Sequence, residues 1–375
     1  MKRTTLAIAL AVLTGTSVPA SAEVDFGKPG EPVNLVVGYQ PYYTESWSGV
    51  VINGKQLWKK YLPEGSTVEF QVGLQGSVIV NAMTGEKQHI GYMGDMPSIA
   101  STFRNLPERG GTDIRIIASI GTSKQQCNIF LVRNDAPEFK NGVDAVKWLD
   151  GKTTAAPHGA CTDRFARLAF EKAGIEPRRY LNQNIEVIST NFRAGKLDGA
   201  AMWEPAASQI VELGLARRAA SGEDFDALDG AFIVVLADLL EQRPDIVKGW
   251  LQAELDAQLF ISDPRNAEEV ASMAEEQTEH YARKTLWTAL YSAPEGAGSV
   301  GDVKVQYDFI VTPRVQRLLD EATAFLNGLP QKPAAAPHIR EGGVDDRIAR
   351  EVLAERGLES PVAVIKTQPR SGFSN

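Results

Sequence analysis

The chain has 375 residues, 43% of them apolar and 23% charged, with a formal net charge of −8 at neutral pH. That balance belongs to a globular protein with enough chain for two domains, and it excludes a disordered or fibrous polypeptide. The acidic surface argues against a nucleic acid partner, and two cysteines with four scattered histidines give no metal-ligand spacing.

Met1-Lys2-Arg3, an apolar run from Leu6 to Leu13, and Ala20-Ser21-Ala22 form a positive n-region, a short h-region and a small-residue cleavage site. Residues 1–22 therefore read as a signal peptide removed before Glu23, with an apolar run too short to span a bilayer. Asn34 to Tyr39 then reads as a buried strand, residues 46–61 as a helix, Thr67 to Val72 as a strand, and Ser77 to Thr84 as a helix opened by Gly76. His89 to Met93 is a strand running into a helix opened by Asp95 and Pro97, and Ile114 to Ser119 is a fourth strand. The alternation restarts after Gly121-Thr122-Ser123. Strands are expected at Cys127–Val132, Thr153–Pro157, Ile185–Ile188 and Gly199–Met202, with helices at 142–149, 162–173 and 192–195. A strand over Ala231–Val235 and long amphipathic helices over 244–327 follow, then a linker at Ala334-Ala335-Ala336-Pro337 and a last helix over 345–356. The pattern predicts an α/β protein made of two similar units in tandem, each a mostly parallel sheet covered on both faces, then a mainly helical tail.

Three Gly-marked turns precede helices: Gln75-Gly76-Ser77, Gly94-Asp95-Met96-Pro97 and His158-Gly159-Ala160-Cys161-Thr162-Asp163. Helix N-termini present unpaired N–H groups and a positive dipole end, so turns that converge make an anion site without a metal. The Ser77 hydroxyl and the N–H groups of Ser77, Val78 and the turn near Thr162 are the candidate donors, although Ser77 and Asp95 also suit ordinary N-caps. Tyr39, Gln40, Tyr42, Tyr43 and Trp47 follow the first strand, where some are expected at a ligand and the rest in packing. Trp203 is a candidate cation–π wall and Glu204 a candidate partner for an amine, against core and solvated alternatives. Arg164 either reaches an anion or pairs with an acid, and His158 either touches ligand or is structural. Cys127 and Cys161 are compatible with one disulfide or with two buried thiols.

Val37-Gly38-Tyr39-Gln40, Gln75-Gly76-Ser77 followed by Asn81-Ala82-Met83, Gly94-Asp95-Met96-Pro97, and Asp198 through Pro205 occur in an order that resembles a known family. These are the periplasmic solute-binding proteins of ABC importers for taurine, alkanesulfonates and nitrate, which share a fold with thiamine-pyrimidine synthases. The resemblance covers about residues 33–240. It implies a periplasmic-binding-protein fold with two lobes joined by two crossovers near 120–125 and 225–232, and ligand in the cleft at the strands' carboxyl ends. Lobe 1 is then 33–121 plus 231–330, lobe 2 is 122–229, and 331–375 is an extension with one helix. A cysteine bridge would staple the ligand-binding turn of the second lobe.

The implied function is capture of a small sulfonate, taurine or an alkanesulfonate, in the periplasm and its delivery to an inner-membrane permease. The chain would work as a monomer without cofactor, on a small anionic or zwitterionic ligand. Nitrate or bicarbonate, an aromatic carboxylate or sulfonate, and an aminopyrimidine are the alternative ligands. Expected ligand-binding residues are Tyr39, Gln40, Tyr43, Gly76, Ser77, Asp95, His158, Cys161, Thr162, Arg164, Trp203 and Glu204. The turn carries Ala160-Cys161 where relatives commonly have Ser or Thr, and Glu204 replaces a shorter acid. An enzyme reading finds no nucleophile elbow, zincin or Walker motif, and Gly296 to Gly301 matches G-x-G-x-x-G without the strand that would give it meaning.

Overall fold

A computed structural model describes residues 24–103, 111–294, 300–329 and 338–373. The signal-peptide reading of 1–22, most of the Gly296–Gly301 motif and the linker at 334–337 lie outside these residues. In the first half, β1 (Asn34–Tyr39), β2 (Thr67–Val72), β3 (Ile90–Gly94) and β4 (Ile114–Ser123) alternate with α1 (Ser48–Lys55), α2 (Gly76–Thr84) and α3 (Asp95–Phe103). The middle of the chain gives β5 (Ile129–Val132), α4 (Gly142–Trp148), β6 (Thr153–Ala156), α5 (Cys161–Ala173), β7 (Arg179–Asn182) and α6 (Ile185–Arg193). It continues through β8 (Gly199–Met202), α7 (Ala206–Glu212), β9 (Arg217–Ser221) and α8 (Gly222–Phe225). Then come β10 (Asp229–Leu236), α9 (Ala237–Gln242), α10 (Pro244–Ser262), α11 (Ala267–Glu276), α12 (Arg283–Tyr291), β11 (Val303–Tyr307), α13 (Pro313–Gly328), α14 (Arg347–Arg356) and β12 (Ala363–Lys366).

The strands form two sheets. One has seven strands in the order β12-β11-β4-β10-β3-β1-β2, the other five in the order β7-β6-β8-β5-β9. The expected mostly parallel sheets are in fact mixed. β10, arriving from the second sheet, runs antiparallel between β3 and β4, and β5, arriving from the first, runs antiparallel between β8 and β9. A strand that enters a sheet through a crossover comes from the opposite end, which reverses its direction. β5 shows why these strands read as unbroken apolar runs. Phe130 and Val132 join one buried cluster and Ile129 and Leu131 another, on opposite faces of the sheet.

Three expectations need correction. Ile185–Ile188 is not a strand but the first turn of α6, whose Asn184 cap accepts the Val187 N–H at 2.9 Å. The expected helix over 46–61 breaks at Gln56, which takes a left-handed conformation (φ 51°) between α1 and a short 3-10 turn. The segment 331–375 is more than an extension with one helix. β12 is the outer strand of the seven-stranded sheet, paired with β11, and α14 packs on α10. Long helices cover the first sheet, with α10 against α1 and α13 against α3. Among the described residues no helix is long and apolar enough to cross a membrane.

Candidate functional site

All three Gly-marked turns open onto one cavity of about 290 Å3. The first-sheet half contributes Gln40 and Tyr43 after β1, Gln75-Gly76-Ser77 at the start of α2, and Gly94, Met96 and Pro97 at the start of α3. The second-sheet half contributes Pro157 to Cys161 before α5 and Trp203 after β8. Val80, Ala100, Leu326 and Leu329 complete an apolar wall, the last two from the C-terminal end of α13 and the residue beyond it.

The helix ends differ in what they present. α2 and α5 start after Gln75 and Ala160, and neither residue caps its helix with a side chain. The N–H groups of Val78, Asp163 and Arg164 turn back onto Gln75 and Ala160 carbonyls, so Val78 is not a free donor. Those of Gly76, Ser77, Cys161 and Thr162 carry no partner among the described residues, as expected for the first positions of an uncapped helix. α3 is closed by comparison: Asp95 accepts the Met96 N–H at 2.6 Å with one oxygen and the Arg164 guanidinium at 2.7 Å with the other. Pro97 has no N–H to give.

Among the described residues of the wall there is no lysine, arginine, aspartate or glutamate. The Gln40 and Gln75 amides, the Ser77 hydroxyl and Nε2 of His158 have no protein partner among the described residues. Partial burial holds the His158 imidazole below its usual range, which keeps it neutral at pH 7. Its ring lies 4.6 Å from that of Tyr180, and Asp163 fixes the turn by accepting from Gly159 N–H, Tyr180 Oη and Arg167 Nε. Cys127 and Cys161 are joined by a disulfide (Cα–Cα 6.0 Å), tying the start of α5 to the segment ahead of β5.

Tyr39, Asp95, Thr162, Arg164 and Glu204 do not line the cavity. Tyr39 packs edge-on against Phe70 at 5.3 Å and accepts from Asn53. Thr162 turns its hydroxyl to the Pro157 carbonyl at 3.4 Å. Glu204 is fully buried, with one oxygen 3.1 Å from Arg218 Nη1 and the other accepting the Ser208 N–H. An acid whose lone pairs are satisfied in this way is not available to an amine. Arg164 bridges the halves behind the cavity, donating to Asp95 and to the Leu228 carbonyl.

That bridge belongs to a buried acidic group which the sequence reading missed. Tyr43 donates to Glu45, and Asp229, which accepts the Cys127 N–H at 2.6 Å, lies beside both Glu45 and Asp95. Three carboxylates face one guanidinium. Burial, reinforced by Asp95, pushes the Asp229 carboxyl up to about 8, and burial with Asp229 holds Glu45 well above the usual range. Asp229, Glu45 and Arg164 lie far apart in sequence, so no local spacing announces them. Leu326 was equally hidden, since it reads as one more core position of an amphipathic helix.

A cavity enclosed by helix ends from two α/β halves joined by two crossovers defines the periplasmic-binding-protein architecture. Residues 28–275 match the NMT1-like family, and the chain belongs to it. A taurine-binding periplasmic protein of Escherichia coli (strain K12) is 23% identical over 258 residues, 65% of this chain and 74% of that one. The nitrate-binding protein NrtA of Synechocystis PCC 6803 superposes with a TM-score of 0.68 at 16% identity, covering 89% of this chain and 92% of that one. The alkanesulfonate-binding protein SsuA of Xanthomonas axonopodis pv. citri, bound to MOPS, gives 0.64 at 17%, covering 84% and 98%. The desulfurization enzyme DSZB shares the fold as well, with a TM-score of 0.59 at 14% identity over 86% of this chain and 99% of that one.

Proposed function

We propose that this chain is the periplasmic substrate-binding component of an ABC importer, which captures an organic sulfonate between two hinged lobes and passes it to an inner-membrane permease. The observation that carries the reading is the pair of uncapped helix N-termini, α2 from one half and α5 from the other, opening on one cavity with no lysine, arginine, aspartate or glutamate among the described residues of its wall. An anion there is held by oriented N–H groups and neutral donors. Hydrogen bonds to a charged acceptor contribute about 1.5–3 kcal/mol each, so four or five are enough for micromolar binding, about 8 kcal/mol. The matching taurine-binding relative supports the transport role.

The cavity favours an alkanesulfonate over taurine. Val80, Met96, Leu326 and Leu329 suit an alkyl body, whereas an ammonium has no free carboxylate to meet, because Asp95 and Glu204 are both in buried ion pairs. Thermal shift followed by calorimetry on the purified chain, with taurine, a series of alkanesulfonates, nitrate, bicarbonate, benzoate and an aminopyrimidine, tests the reading. Micromolar affinity that grows with alkyl length is expected, with taurine weaker. Tight binding of the pyrimidine without a sulfonate signal would overturn the ligand class, and catalytic turnover by the chain alone would overturn the transport role.

A further inference from the structure

A second cavity of about 510 Å3 shares Gln75 and Trp203 as wall residues with the first. Its chemistry is the reverse of its neighbour's. Among the described residues the first cavity collects N–H groups and no lysine, arginine, aspartate or glutamate. The second has Glu186 from the first turn of α6 and Glu279 from the loop ahead of α12, with no lysine or arginine among the described residues of its wall. Both acids are exposed, and neither forms an ion pair with lysine or arginine among the described residues. His280, also exposed, lies 3.9 Å from Glu279, and Tyr42 and Tyr281 are the other titratable side chains of this wall.

Two acids alone do not make a site, but the walls around them are aromatic and fixed. Tyr42 and Tyr281 stand with ring centres 6.0 Å apart. Tyr42 is held at both ends, its carbonyl accepting from Trp203 Nε1 at 3.2 Å and its hydroxyl from the Glu279 N–H at 2.9 Å. Rings anchored beside carboxylates suit a poorly hydrated organic cation, which gains from the ring faces and from the acids with little desolvation cost. Leu74, Val78, Ile185 and Ile210 supply the apolar part of this cavity's wall, with Leu74 and Val78 58% and 50% exposed.

We propose that the second cavity is a subsite for a tertiary or quaternary ammonium, so that the whole crevice takes an elongated zwitterion. Its sulfonate lies on the α2 and α5 ends, its alkyl linker passes Trp203, and its ammonium sits among Tyr42, Tyr281, Glu186 and Glu279. The proposal rests on the sulfonate reading of the first cavity, and its test separates the two.

The test is calorimetry at low salt on the full mature chain. It uses a homologous series of ω-(trimethylammonio)alkanesulfonates, each paired with the carbon isostere in which a tert-butyl group replaces the trimethylammonium. At one linker length the zwitterion is expected to bind about 3- to 30-fold tighter than its isostere. The preference should shrink as salt is raised. In the double variant Glu186→Gln with Glu279→Gln the preference is expected to fall severalfold while the isostere still binds, which also shows that the variant is folded. Equal affinity for both members of every pair overturns the ammonium subsite and leaves the sulfonate reading standing. So does a preference that survives in the double variant. Binding of neither member overturns the sulfonate reading and this proposal with it.

Discussion

At the scale of the residue, Gly76 and Ser77 sit side by side and do different work. A Cβ on Gly76 would lie 2.3 Å from Pro97 Cγ and 2.7 Å from its Cβ, so the missing side chain is what lets the start of α2 rest against the start of α3. Gly76→Ala must push the two helix ends apart. A loss of about 1–3 kcal/mol is expected from overpacking, together with a tenfold or greater loss of sulfonate affinity as the N–H groups lose their aim. Ser77, an exposed residue, tests the other half of the argument. Ser77→Ala should leave the melting temperature unchanged and weaken sulfonate binding by about tenfold, the loss of one hydrogen bond to a charged acceptor. Calorimetry beside thermal unfolding separates the two effects; equal affinity in Ser77→Ala and the parent removes Ser77 from the site. The turn at these residues is legible in the sequence because a strand ends, a glycine follows and an apolar helical run begins. Its steric partner Pro97 is not, because only folding sets two turns against each other. Glu204 makes the same point: its partner Arg218 arrives on β9, and no spacing along the chain marks the pair.

At the scale of the element, α5 is the helix whose position matters most, and the Cys127–Cys161 bridge anchors its first residue beside the cavity. The cysteines are 34 residues apart, for which loop-closure entropy in the unfolded chain corresponds to about 4 kcal/mol of stabilisation. The double variant Cys127→Ser with Cys161→Ser, or the reduced parent, is expected to melt at lower temperature and to bind sulfonate more weakly. A lower melting temperature with unchanged affinity would show that the bridge supports the fold without positioning the turn. Elements were legible where burial imposes a pattern. β1, β3, β5 and β10 are apolar because they are covered on both faces, and they stand out in the sequence. β7, an edge strand of partly exposed polar residues, carries no such signal, and the apolar Ile185–Ile188 just after it draws the strand assignment away. One side-chain bond from Asn184 to the Val187 N–H decides for helix there, and an asparagine before an apolar run was the clue available. The edge strand β12 was missed for the same reason as β7, since an edge buries too little to enforce alternation, whereas β11, an inner strand between β12 and β4, lay inside the run read as amphipathic helices over 244–327.

At the scale of the molecule, the two halves meet at a charged seam. Asp229 begins β10, where the chain returns to the first sheet, and it lies beside Asp95, Glu45 and Tyr43, with Arg164 reaching across from α5. One guanidinium cannot balance three buried carboxylates, so the folded protein retains a proton that the unfolded chain has lost. The sign follows from linkage. The Asp229 carboxyl is raised from 3.8 to about 8 on folding, so its contribution to stability falls as pH climbs through that interval and levels off above it. Glu45, also raised, acts in the same direction. Lys304, pushed down to about 7 by burial, acts in the opposite direction between about 7 and 10.5, since there the unfolded chain binds the extra proton. Total stability against pH therefore mixes opposing slopes, and a difference between two proteins is the cleaner measurement. Asp229→Asn keeps an oxygen for the Cys127 N–H and cannot ionise, while Lys304 contributes equally to parent and variant. Denaturant unfolding from pH 5 to pH 9 should show the variant gaining on the parent steadily up to about pH 8 and no further. Curves that stay parallel across that range would mean that Asp229 is already ionised at pH 5 and that Arg164 alone balances the seam. A variant that gains on the parent while its sulfonate affinity becomes less dependent on pH would tie the same proton to the grip of the cleft, because Tyr43, bonded to Glu45, forms part of the cavity wall.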